Sequence, residues 1–126
     1  MVLEPLQAHH DREGFDCGEP TLNDYLRRYA RQNDAKDLGR VFVGVEAPGS
    51  RGIVGYYTLS SYSLAREALP VKGLPRYAIP AVLIGRLARD VRYRGQEVGR
   101  ALARHALRRC LAVSSQVAVH VVVVDA

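Results

Sequence analysis

The residues best suited to chemistry stand close together, between Arg92 and Arg100. Within that stretch, Arg94-Gly95-Gln96-Glu97-Val98-Gly99 carries two glycines four positions apart, with arginines on either side. A largely apolar segment, Ile79 to Asp90, precedes it, and a helical pattern, Val98 to Val113, follows it. A helix N-terminus leaves its first amides unpaired and adds partial positive charge. Glycines remove side chains where a ligand approaches the backbone, and Arg92, Arg94 and Arg100 add fixed positive charge nearby. A strand-loop-helix of this composition suits the pyrophosphate of a nucleotide-like cofactor. It is not a P-loop, because no Gly-Lys-Ser/Thr follows, and its spacing departs from the dinucleotide fingerprint.

Other reactive side chains point to packing. Tyr56, Tyr57 and Tyr62 lie in an apolar strand and read as packing residues before acceptor-site residues. His105 falls in mid-helix between two stripes, at the surface or as a satisfied core residue. Cys110 lies on the apolar stripe and reads as a small core residue, and Cys17 packs in a turn. His9 and His10 have no partner at metal-ligand spacing, so no metal site is expected. Two cysteines without a CxxC set no disulfide framework and fit reduced thiols in a cytoplasm.

The elements that must position the loop follow from patterning. Val2 to Leu6 alternates like an edge strand. Phe15-Asp16-Cys17-Gly18-Glu19-Pro20 is a turn, after which Thr21 offers an N-cap oxygen. Leu22, Tyr25, Leu26, Tyr29 and Ala30 then fall on one helix face, and the helix should fade between Asn33 and Gly39. Val41 to Glu46 and Ile53 to Ser63 form a hairpin across a turn at Pro48 to Gly52. Pro70, Gly73 and Pro75 mark Ala65 to Ala78 as a long loop. Ile79 to Asp90 is a central strand. In the following helix Val98, Leu102, Ala106, Cys110 and Val113 share one stripe, and Arg100, Arg104 and Arg108 another. Val117 to Val124 is a buried strand. The order β-α-β-β-β-α-β ends in a parallel crossover, and such crossovers bind ligands at the carboxyl ends of their strands. With 126 residues, one domain spanning 1–126 is expected. No apolar run is long enough to cross a bilayer, and no signal peptide is expected.

Charge narrows the partners. Of 18 basic residues, all but Lys36 and Lys72 are arginines, and they outnumber 13 acidic residues to leave a net charge of +5. Arginine binds phosphate bidentately and stacks on bases, which favours an anionic partner.

Asp90-x-x-Tyr93-Arg94-Gly95-Gln96-x-Val98-Gly99-Arg100-Ala101-Leu102 resembles the acyl-coenzyme A loop of the GNAT N-acetyltransferases, Gln/Arg-x-x-Gly-x-Gly/Ala. Together with Gly85-Arg86-Leu87-Ala88, Gly55-Tyr56-Tyr57-x-Leu59 and Phe15-Asp16-Cys17-Gly18-Glu19-Pro20-x-Leu22-Asn23-x-Tyr25-Leu26, it is similar to the GNAT toxins of bacterial toxin–antitoxin pairs, from Leu3 to Val124. The resemblance implies a GNAT α/β fold, a mixed central sheet with flanking helices, short at the C-terminus. It implies acetyl-CoA as co-substrate. The backbone at Leu87, Ala88 and Arg89 would hold the pantetheine arm. The loop at Arg94, Gly95, Gln96, Glu97, Val98, Gly99 and Arg100 would hold the pyrophosphate. It implies acetylation of the α-amine of aminoacyl-tRNA, a block of translation, a ribbon-helix-helix antitoxin as partner and a cytoplasmic location. An exposed final strand edge also fits a homodimer.

Two departures from the family pattern carry expectations. Glu97 stands where the family usually has glycine. A fixed carboxylate about 5 Å from a phosphate costs roughly 3 kcal/mol at an effective dielectric of ~20, so weaker cofactor binding is expected. The family's tyrosine general acid belongs to an Ala-x-x-Phe-Tyr segment beyond the fifth strand; no residue here matches it, and no catalytic residue is assigned. The alternatives are an inactive module that binds acetyl-CoA or antitoxin, and a generic small-molecule or protein N-acetyltransferase.

Overall fold

The computed structural model describes residues 1–35, 39–64, 79–95, 97–114 and 121–124. Five strands form one sheet in chain order: β1 (Val2–Pro5), β2 (Arg40–Val45), β3 (Gly55–Leu64), β4 (Ile79–Arg89) and β5 (Val121–Val124). The first four pair antiparallel and β5 joins β4 in parallel. This is the expected β-α-β-β-β-α-β order with its terminal crossover. The expected loop at 65–78, and residues 117–120 of the expected last strand, lie outside the described residues.

The central strands are buried on both faces because both faces read apolar. On β2, Val41, Val43 and Val45 point to one side and Phe42 to the other, and the β3 neighbours Tyr56 and Tyr57 split in the same way. One face packs Phe15, Tyr25, Leu26 and Ala30 against Tyr56 and Val43. The other packs α3 (Val98–Ser114) through Val98, Leu102, Ala106 and Cys110, the expected apolar stripe. Those four side chains are 3% exposed or less, so the expected stripe is also the buried face.

The first helix departs from expectation in two ways. It opens at Pro20 rather than after Thr21. Glu19 is the N-cap and its carbonyl accepts the amides of Leu22 and Asn23, while proline at the first position costs no hydrogen bond. Between α1 (Pro20–Asp24) and α2 (Ala30–Ala35) the chain makes a π-helical turn, Tyr25–Tyr29. That wider turn advances each residue by less than the ~100° of an α-helix. Tyr25, Leu26 and Ala30 stay in the core, and Tyr29 swings out to 51% exposure.

Candidate cofactor site

β4 is interrupted where the site begins. Its register with β3 shifts between Thr58 and Leu59, leaving Gly85 as the extra residue of a bulge. β5 pairs only with Ala81 to Ile84. Beyond that point, from Gly85 to Arg89, β4 has no parallel neighbour among the described residues.

Main-chain direction in this stretch of β4 follows from one bond. The Asp90 amide donates to the Val54 carbonyl at 2.8 Å. Alternation then turns the main-chain groups of Ala88 toward β3 and those of Leu87 and Arg89 away from it. Of the three β4 positions expected to meet a pantetheine arm, Leu87 and Arg89 therefore offer backbone groups, and Ala88 offers only its buried methyl face. The Arg89 Nε is buried and has no hydrogen-bond partner among the described residues.

The following loop is anchored by the carboxylate of Asp90, the first residue of the loop motif. Asp90 is fully buried. Its Oδ1 accepts the Arg92 amide and Nε, both at 2.9 Å, and its Oδ2 accepts Arg92 Nη2 at 2.9 Å and the Asp16 amide at 3.1 Å. The Val91 amide returns a bond to the Asp16 carbonyl at 2.9 Å. Asp16 in turn accepts the Gly18 amide and the Asn23 side-chain amide, and Asn23 accepts the Cys17 amide. The Phe15–Asn23 segment is thus a clasp latched onto the start of the loop. Burial pushes the Asp90 carboxyl upward, but the bonds from Arg92 and Asp16 outweigh it and hold it below the ordinary range. Asp16 is lowered by the Gly18 amide and Asn23. The signal for this clasp was present in the sequence, an aspartate next to the loop and another beside a turn glycine, but only the fold pairs positions 74 residues apart.

After a short 3₁₀ turn, Val91–Tyr93, the chain passes Gly95 at φ 75° and Glu97 at φ 55°. Gln96 lies outside the described residues. Arg94 and Arg100 are exposed. The Glu97 carbonyl accepts the Ala101 amide at 3.1 Å, so α3 starts here and the amides of Val98, Gly99 and Arg100 have no intrahelical acceptor. A Cβ added at Gly95 or Gly99 would meet nothing within 4 Å. The Glu97 side chain is 72% exposed and its carboxylate lies 3.4 Å from Arg100, directed to solvent rather than held against the amides. Open space at two glycines and helix-start amides without an intrahelical acceptor together fit a pyrophosphate-bearing ligand.

The remaining singled-out residues are placed as follows. Tyr56 and Tyr57 are buried; Tyr56 donates to the Leu22 carbonyl at 2.7 Å, and the Tyr57 hydroxyl lies 2.6 Å from His105 Nδ1. Arg86 stacks 3.7 Å over the Tyr25 ring, on the face of β4 opposite α3. Cys110 is buried and Cys17 half-buried. The fold gives His9 and His10 a neighbour that local spacing did not show. Glu4 Oε1 is 2.6 Å from His10 Nε2 and 4.0 Å from His9 Nε2. His10 Nδ1 already accepts the Gln7 amide, which leaves its Nε2 as the protonated nitrogen donating to Glu4. A cation there would have to break that pair.

No protein-family model matches this sequence. A tRNA-acetylating toxin of Mycobacterium tuberculosis is 33% identical over 118 residues, covering 92% of this chain and 69% of the relative. The chain belongs to the GNAT-family tRNA-acetylating toxins of toxin–antitoxin systems. Solved structures of the family superpose closely. The AtaT toxin complexed with acetyl-methionyl-tRNA matches at a TM-score of 0.88 and 33% identity, over 99% of this chain and 77% of AtaT. A mutant AtaT bound to acetyl-CoA and the C-terminus of the antitoxin AtaR matches at 0.84 and 31%, over 99% and 74%. The GNAT fold expected from the loop and turn motifs is the fold of this chain. No helix among the described residues is long and apolar enough to cross a membrane.

Proposed function

We propose that residues 1–126 act as one domain that binds acetyl-CoA along the open edge of β4 and transfers its acetyl group to the α-amine of aminoacyl-tRNA. The observation that carries this reading is the stretch of β4 beyond Ile84, where main-chain groups at Leu87 and Arg89 face away from β3 and lead to the amides at the start of α3 that have no intrahelical acceptor. The backbone at Leu87 and Arg89 would align the pantetheine arm, and Ala88 would wall it. Gly95 and Gly99 would admit the pyrophosphate to the loop amides, with Arg94, Gln96, Glu97, Val98 and Arg100 around it. Acetyl-CoA supplies the thioester: the amine nitrogen bonds to the acetyl carbon, the carbon–sulfur bond breaks, the amine loses a proton and the thiolate gains one. Positioning the amine and polarising the carbonyl supply most of the rate in such a reaction.

The relatives described above support the choice of cofactor and acceptor. The net charge of +5 suits sequence-independent binding to tRNA phosphates. As a toxin it would act in the cytoplasm, block translation and be held by a ribbon-helix-helix antitoxin; homodimerisation would fit the same reading. The test is transfer of labelled acetyl from acetyl-CoA to purified aminoacyl-tRNA by the product of the complete reading frame. The expected result is label on the aminoacyl group and none on deacylated tRNA. Label on small amines or proteins but not on aminoacyl-tRNA overturns the substrate assignment, and failure to bind acetyl-CoA overturns the whole reading.

A further inference from the structure

A groove between α3 and β1, with cavities of about 540 and 430 Å³, has Glu97, Val98 and Arg100 in its lining and so belongs with the cofactor loop. The opposite face of the sheet carries a second basic surface, on the first helix. Its arginines divide by use. Arg12 Nη1 donates to the Arg27 carbonyl at 3.0 Å, and Arg27 Nη2 donates to the Phe15 carbonyl at 3.0 Å. These two brace the π-helical turn against the Phe15–Asn23 clasp. Arg28 and Arg31 are exposed and have no carboxylate partner among the described residues.

The π-turn has an outward consequence. In a continuous α-helix Tyr29 would lie one turn from Tyr25 on the buried stripe. Instead Tyr25 is 8% exposed and Tyr29 is 51% exposed. An aromatic ring left in water forgoes the stabilisation of burial, and π-turns inside α-helices are frequent at functional sites. A ring set between two unpaired guanidinium groups offers a flat face to a nucleobase and fixed charge to the phosphates beside it. Carboxylates alone would satisfy the arginines and leave the ring in water. Duplex RNA would supply phosphates but keep its bases stacked on one another. An unpaired strand supplies both. The same helix also reaches the proposed donor site: Tyr25 lies 3.7 Å under the guanidinium of Arg86, which belongs to the stretch of β4 beyond Ile84.

We propose that Tyr29, with Arg28 and Arg31, is a stacking platform for an unpaired nucleotide at the 3′ end of the RNA acceptor. The platform rests on the reading of aminoacyl-tRNA as acceptor and lies outside the cofactor site. The probe is a fluorescein-labelled single-stranded hexaribonucleotide, titrated by anisotropy into the full chain, with a blunt RNA duplex as comparator. Tyr29→Ala is expected to weaken the single strand roughly tenfold and the duplex by no more than about twofold, and Tyr29→Phe to keep the parent affinity. Arg28→Gln/Arg31→Gln should lower the salt slope of single-strand binding by about one. Adenosine triphosphate, which has base and phosphates but no strand, should compete at least tenfold less well than unlabelled hexanucleotide. Acetyl-CoA affinity, measured by calorimetry, should be the same in every variant. Single-strand binding that Tyr29→Ala leaves unaltered, or an equal loss for strand and duplex, overturns the platform alone. Equal competition by the free nucleotide overturns the assignment to a strand. A parent chain that binds acetyl-CoA but neither RNA overturns the acceptor reading and the platform with it.

Discussion

Glu97 is held at φ 55° in the left-handed region, where a side chain costs about 1–2 kcal/mol. Glycine would remove that strain but add ~0.5–1 kcal/mol of unfolded-state entropy. Glu97→Gly should therefore raise stability by about 0.5–1 kcal/mol in urea titrations. The sequence raised a different concern, a carboxylate fixed beside a phosphate. The side chain instead points to solvent near Arg100, so removing it should tighten acetyl-CoA by no more than about fivefold by calorimetry. An unchanged Kd would mean that backbone conformation is the whole effect. His105 makes a second residue-scale prediction. Burial, then Arg109 and Arg108, lowers its pKa, and its Nδ1 lies 2.6 Å from the Tyr57 hydroxyl, whose own pKa burial raises. A histidine with a depressed folded pKa stabilises fully above its unfolded value near 6.5 and loses that contribution as pH falls through the folded one. Melting temperatures should drop from pH 8 to 5, and His105→Gln should flatten that dependence.

At the scale of elements, the clasp between the Phe15–Asn23 turn and the start of the cofactor loop sets loop geometry. Asp90→Asn keeps the shape but loses the charge facing Arg92, whose side chain is 63% exposed and free to hydrate. The expected cost is about 1–3 kcal/mol in urea unfolding, with a higher KM for acetyl-CoA because the loop amides lose their anchor. Since the Asp90 carboxyl is held below its ordinary range, its contribution is complete above the unfolded value near 3.9 and is lost as pH falls through the folded one. Parent and variant stabilities should converge in acid. Packing of α3 onto the sheet is equally specific. A Cβ at Gly55 would lie 2.8 Å from both the Ala88 carbonyl and Leu102 Cδ1. Gly55→Ala should cost about 1–3 kcal/mol by overpacking, and denaturant melts with an unchanged m-value would show it.

For the whole molecule, an arginine-rich surface with net charge +5 makes tRNA affinity a counterion-release quantity. A fourfold rise in salt should weaken tRNA binding by more than about tenfold, measured by filter retention or anisotropy. A flat salt response would remove phosphate contacts from the reading. Much of the architecture was legible without coordinates. Strand alternation on β2 and β3, the Val98–Cys110 stripe and the terminal crossover are set by local periodicity, because side-chain spacing on a strand or helix is fixed by backbone geometry. The glycine-bearing loop before a helix was legible for the same reason, since its chemistry lies in neighbouring residues. What required tertiary structure was every feature built from distant positions. Asp90 meeting Asp16, the alternation that separates Leu87 and Arg89 from Ala88, Glu4 beside His10 and the groove between β1 and α3 all depend on strand register and helix docking. The π-turn that expels Tyr29 and the left-handed Glu97 are local, yet packing decides them against the α-helical and glycine preferences of the sequence. The sequence alone thus determined the glycine-bearing loop before the helix; the fold decided which backbone groups of β4 face away from β3 and what holds the loop in place, because hydrogen-bond direction in a sheet is a property of paired strands.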